Sequence, residues 1–194
     1  MYAALINNVV KVSQDLWQIK IPTRIKIFLW YLKRGVVLTK DNLARRNWNG
    51  DTRCSFCHSR IYSSPFFECF YAKFLWHAVH LVFGISPPIS IDDLFINWSK
   101  VVGTIHNSFL LTAASALCWT IWIIRNKVVL DKFRPKFFVQ VLFRGTHWLR
   151  QWARLQRRDD LWDQLTLAGQ HLETSALHFF SSSGWLSTRF FGLS

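Results

Sequence analysis

Three cysteines hold the densest metal chemistry in this chain: Cys54 and Cys57 as a Cys-x-x-Cys pair, and Cys69 twelve positions further on. A structural zinc ion takes four ligands in a tetrahedron, usually thiolates and imidazole nitrogens. A tight turn lets two cysteines so spaced wrap one ion, and a second pair must then arrive from elsewhere. Cys69 supplies one member of that pair. Spacing alone does not declare the other.

Four cysteines among 194 residues do not make a disulfide framework. The opening MYAALINNVVKVSQDLW lacks the charged start and long apolar run of a secretory signal. The expected setting is therefore a reducing interior, nucleus or cytoplasm and not the secreted space, where thiols stay reduced or bind metal.

Hydrophobic residues make up 51% of the chain, enough for a packed core and too many for a disordered one. Eleven tryptophans and seventeen phenylalanines leave rings available for an exposed surface as well as for a core. The net charge of +13 favours polyanions, RNA or DNA above all, whose recognition at this level is of low specificity. Residues 1–73 carry twelve Lys or Arg against four Asp or Glu, so +8 of the excess lies around the cysteines.

The elements that must position those cysteines read as helices. Pro22 opens a segment in which Ile25, Phe28, Leu29 and Leu32 recur at helical spacing, and Gly35 is a natural stop. Thr39 reads as the N-cap of a short helix running to Arg45 and Arg46. After Cys69, FYAKFLWHAVHLVF forms a helix that Gly84 ends, and residues 84–90 read as a proline-stiffened linker. A short helix follows Asp92 and Asp93, and Ser108 is expected to cap a separate apolar helix.

Residues 109–124 of that helix carry no charge, yet the run is shorter than the ~20 apolar residues of a span. A core helix is expected there and membrane association is not. Pro135 starts a further helix with an apolar stripe through Phe138, Val141, Leu142, Trp148, Leu149, Trp152 and Leu155. From Asp159 the pattern loosens to a weak helix and a Ser/Gly-rich end. The fold class is mainly α: a small helical zinc-binding domain followed by a helical C-terminal extension. Its expected divisions are 5–83, 84–158 and a weakly structured tail at 159–194.

The order LWQIKIPTRIKIFLWYLKRGVVLTKDNLARRNW, then CSFC, then PFFEC, then AKFLW closely resembles a known family. It is similar to the reverse transcriptase zinc-binding domain of plant non-LTR (LINE-type) retrotransposons. Trp17, Pro22, Lys26, Phe28, Trp30, Thr39, Leu43, Arg46, Cys54, Cys57, Phe66, Cys69, Ala72 and Trp76 fall on its pattern in order. The resemblance implies a helical accessory segment lying downstream of a polymerase, with zinc as cofactor and nucleic acid as partner. It implies Cys54, Cys57 and Cys69 as ligands. Lys20, Arg24, Lys26, Lys33, Arg34, Arg45 and Arg46 would then meet phosphates, and Trp30 or Trp48 would stack on bases.

This chain departs from the family at one ligand. Ser64 stands where the family has histidine, followed by Pro65, and a neutral hydroxyl is a poor zinc ligand beside thiolates. Three readings stay open: His58 substitutes, three cysteines and a water hold the ion more weakly, or the site binds no metal in a decayed copy. Cys118 lies in the apolar helix and reads as a small core residue.

No catalytic residue is expected. Asp92-Asp93 and Asp159-Asp160 lack the aromatic-x-Asp-Asp context of a polymerase palm, and no phosphate loop or nucleophile elbow appears. A protein-interaction scaffold that binds no metal and a small membrane-associated protein anchored by residues 109–124 are the alternative classes. Oligomeric state is not legible.

Overall fold

The computed structural model describes residues 16–51, 53–55, 64–131, 135, 138–157 and 159–182. The fold is mainly α, with no strand among the described residues. Its helices are α1 (Thr23–Lys33), α2 (Lys40–Ala44), α3 (Phe70–Phe83), α4 (Ile91–Leu130), α5 (Phe138–Ala153) and α6 (Asp159–Ser182).

α4 is the axis. It runs 40 residues, about 60 Å at 1.5 Å per residue, and packs against α1, α3, α5 and α6. The expected break before Ser108 is absent. Ser90 caps the helix instead, its Oγ accepting the Asp93 N–H at 3.0 Å while Asp93 Oδ2 accepts the Ile89 N–H at 2.9 Å. Asp92 and Asp93 in the first turn also complement the helix dipole. Between Ser90 and Ser108 only Gly103 weakens the helix, which is too little to stop it. Ser90→Ala is expected to cost about 1 kcal/mol in urea unfolding; an unchanged midpoint would mean that the reciprocal Asp93 contact carries the cap alone.

The apolar part of α4 is longer than its uncharged run. Ser108–Leu130 is long and apolar enough to cross a membrane by length and composition, and 67% of its apolar window is buried against the other helices. Thr112, Ser115 and Thr120 are buried there because each hydroxyl donates to the carbonyl four residues back, at Ser108, Leu111 and Ala116. Gly145 brings α5 close: a Cβ on it would sit 2.9 Å from Leu117 Cδ2. The expected stripe of α5 buries Val141, Leu142, Leu149 and Trp152, whereas Leu155 lies exposed beyond the helix end.

The weak helix expected after Asp159 is a full one from Asp159 to Ser182, longer than the weakly structured 159–194 division allowed, and residues 183–194 lie outside the described residues. Leu165, Ala168, Leu172 and Ala176 form a buried stripe on α6. Glu173 fastens α6 to α5, accepting from the Thr146 hydroxyl and from Arg150 Nη1 at 2.7 Å. Residues 84–90, expected as a linker, are held from both sides: His80 Nδ1 lies 3.2 Å from Ile85 O, and Trp98 Nε1 donates to Ser86 O at 3.0 Å. One hydrophobic core runs from Leu16 to Ala176.

Candidate metal centre

Two helix ends deliver the chain to the cysteines. α1 stops in a Schellman motif: Gly35 takes φ +64, its N–H donates to Leu32 O at 3.0 Å, and the Val36 N–H reaches Tyr31 O at 3.1 Å. Asn47 repeats the device after α2 at φ 59, with its N–H on Ala44 O and the Trp48 N–H on Leu43 O, both at 3.1 Å. Thr39 starts α2 with its backbone carbonyl, which accepts the Leu43 N–H, while its hydroxyl donates to Val37 O. Past Trp48, Asp51 ties the approach to Cys54. Its Oδ1 accepts from the Arg53 backbone N–H at 3.0 Å and from Arg53 Nε at 3.1 Å, and its Oδ2 lies 3.6 Å from Lys40 Nζ. Those bonds, the Arg53 backbone N–H first, hold its carboxyl below the usual range.

The other side of the site is the turn from Ser64 to Cys69. Ser64 O accepts the Phe67 and Glu68 N–H groups at 3.2 and 3.0 Å, and Ser64 Oγ accepts the Phe66 N–H at 3.3 Å. Pro65, Phe66 and Phe67 are buried. Trp76 on α3 reaches back to pin the turn, its Nε1 donating to Phe66 O at 2.9 Å and its ring stacking on Phe67 at 6.2 Å. Trp98 of α4 meets Trp76 edge-on at 5.5 Å, and Phe66 faces Phe28 at 5.9 Å and Trp122 at 6.5 Å. Cys69 then takes the N-cap position of α3.

This framework brings two of the expected ligands together. Cys54 Sγ and Cys69 Sγ lie 3.8 Å apart, both buried. A tetrahedral site with metal–sulfur bonds of ~2.3 Å has edges of ~3.8 Å, so the pair matches one edge of a zinc thiolate site. The separation is far beyond the ~2.05 Å of a disulfide. Cys57 and His58 lie outside the described residues. Among the described residues no three His, Cys, Asp or Glu gather as a metal site. Ser64 Oγ is occupied within its own turn. The sulfur pair fits one edge of a zinc site, and among the described residues nothing completes it.

Residues 1–76 match the family model described as zinc-binding in reverse transcriptase. The matched stretch is under half of the chain and takes in α1, α2, Cys54, Cys69 and Trp76. No curated protein and no solved structure matches the chain.

The expected phosphate-binding residues lie on this segment in two settings. Lys20, Arg24, Arg34, Arg45 and Arg46 are exposed. Lys26 is half-buried, donates from Nζ to Trp17 O at 2.7 Å, and has its pKa lowered, by burial first and then by Lys20. Lys33 is also half-buried and shifted down by burial, with Asp92 opposing the shift. Lys33 and Arg45 line a cleft of about 350 Å³ that Ser64 and Phe66 share with Ser90 and Asp92 at the start of α4. Trp30 is half-buried under the Arg34 guanidinium, 5.1 Å away, whereas Trp48 is exposed and its ring lies over Gly50.

The structure adds residues that sequence reading placed only in the core. Arg24 sits over Trp119 at 5.9 Å and Arg125 over Trp122 at 5.3 Å. The i, i+3 pair Trp119 and Trp122 was visible in the sequence, but nothing there showed which helix it would face. Cys118 is fully buried, and burial pushes its thiol pKa up, so it stays protonated and outside the metal chemistry.

Proposed function

We propose that this chain is a non-catalytic, zinc-binding, nucleic-acid-associated module of non-LTR retrotransposon origin. The observation that carries the reading is the Cys54–Cys69 pair at a tetrahedral edge distance inside a segment matching a reverse-transcriptase zinc-binding family. Cys54, Cys57 and Cys69 would hold the ion, with His58 or a water as fourth donor. Zinc supplies a cross-link there, joining the chain after α2 to the N-terminus of α3. On the protein side, Trp76 and the Ser64 turn position Cys69, and Asp51 bonds Arg53 on the approach to Cys54.

The nucleic-acid half of the proposal rests on the cations around this site. Five of the seven are exposed, Lys20, Arg24, Arg34, Arg45 and Arg46. With about five phosphates neutralised on a single strand, log K falls with log salt at a slope near −3.5. Affinity for RNA is therefore expected to fall about 100-fold between 50 and 200 mM salt. Fluorescence anisotropy on a labelled RNA measures this; tight binding indifferent to salt would remove the phosphate role from these residues, and no binding would end the nucleic-acid reading.

A metal-free scaffold is the second reading, favoured by Ser64, whose hydroxyl serves its own turn instead of a ligand position. Absorption of the cobalt-loaded protein separates the two readings.

A further inference from the structure

On the side of α1 away from Leu29 and Leu32, a second apolar surface faces solvent. Ile27 is 41% exposed, Tyr31 46% and Leu38 61%, in a fold that otherwise buries its large side chains along α1. With Arg24, Trp119 and Trp122 these residues line a groove of about 580 Å³ between α1 and α4. Its volume lies in the ~300–1,000 Å³ span of ligand sites.

The walls carry one sign of charge. Residues 16–40, which supply α1 and the stretch after it, hold six Lys or Arg and no Asp or Glu, and the charged residue lining the groove is Arg24. Both tryptophans lining the groove are met by an arginine, Trp119 by Arg24 and Trp122 by the buried Arg125. Next to the groove, Arg34 covers Trp30, whose ring lies 5.2 Å from that of Tyr31. An apolar peptide would need no such cationic walls, and a second copy of this chain would bring +13 against +13. A polyanion that also carries flat apolar groups satisfies both features at once.

We infer that the α1–α4 groove seats the bases of a single-stranded nucleic acid. Tyr31 is the accessible stacking face, and Arg24 and Arg34 take phosphates at the rim. This rests on the nucleic-acid reading above and adds a site and a strand preference to it. A duplex keeps its base faces stacked inside, so an aromatic groove of this kind selects single strands. Each stacked base contributes sequence-tolerant affinity, so the groove requires no particular base order.

The test uses the full chain, a labelled oligouridylate and a duplex of equal length. The single strand is expected to bind more tightly. Tyr31→Ala should weaken it about tenfold without changing the salt slope, and Tyr31→Phe should bind like the parent. Arg34→Ala should instead flatten the slope by about one phosphate's share. Tyr31 is exposed, and equal thermal unfolding of the variants shows that the fold is kept. Equal affinity for the duplex, or unchanged binding by Tyr31→Ala, overturns the groove while leaving the general nucleic-acid reading standing. A dimer in sedimentation that Tyr31→Ala dissolves also overturns it, in favour of a second copy. Absence of any RNA binding removes both.

Discussion

Cobalt bound to the protein is expected to give a thiolate-to-cobalt charge-transfer band that Cys69→Ser removes. The two sulfurs at 3.8 Å define one edge of the site, and losing Cys69 leaves Cys54 without the partner across that edge. Even an outer partner of a metal ligand is worth about 10–100-fold in affinity, so loss of a direct thiolate should cost at least about 100-fold. Cys118→Ser is the matched control, because that thiol is buried in α4 and held protonated. Ser64→His tests the fourth position. The turn's carbonyl bonds to Phe67 and Glu68 are backbone bonds and survive the change. A tightening of tenfold or more is expected, an imidazole being a better zinc ligand than a hydroxyl. A band that appears only with Ser64→His would mean that this copy of the site has lost its metal. A band in the parent protein that survives Cys69→Ser would remove Cys69 from the ligand set.

Trp76→Ala is expected to be the most damaging single change to stability. The ring is 1% exposed, stacks on Phe67, meets Trp98 edge-on, and donates to Phe66 O. Removing a buried tryptophan costs about 3–5 kcal/mol, a large share of the 5–15 kcal/mol that holds an ordinary domain together. Trp76→Phe keeps a ring and leaves the Phe66 carbonyl without its donor, at about 1–3 kcal/mol. Phe66 lies three residues before Cys69, so both variants should also loosen cobalt binding. Urea unfolding measures the first effect and cobalt titration the second. A Trp76→Ala protein within about 1 kcal/mol of the parent would show that the turn does not depend on this ring.

Much of the motif half was legible because its signals are local. Pro22 and Gly35 bracket α1, Gly84 ends α3, and the family resemblance set Cys54 and Cys69 in one group. The start of α4 was misread because Ser90 and Ser108 are both good capping residues. What decides between them is the weakness of the intervening break, a matter of degree that a residue pattern shows poorly. α6 was undervalued for a different reason. Half of its buried stripe is alanine, at Ala168 and Ala176, and its fastening point Glu173 has its partners on α5. The α1–α4 groove was illegible because Trp119 and Trp122 lie in an apolar helix. Periodicity places such residues on a face and says nothing about what that face meets.

The long helix bears on whether the cysteine-bearing part is portable. Phe28 and Phe66 close their ring contacts on Trp122, Trp76 leans on Trp98, and Tyr71 donates to Pro135 O. A chain cut at Pro87 would strip each of these rings of a neighbour supplied by the second half. The cysteine-bearing segment is thus not a detachable bead but one side of a shared interior.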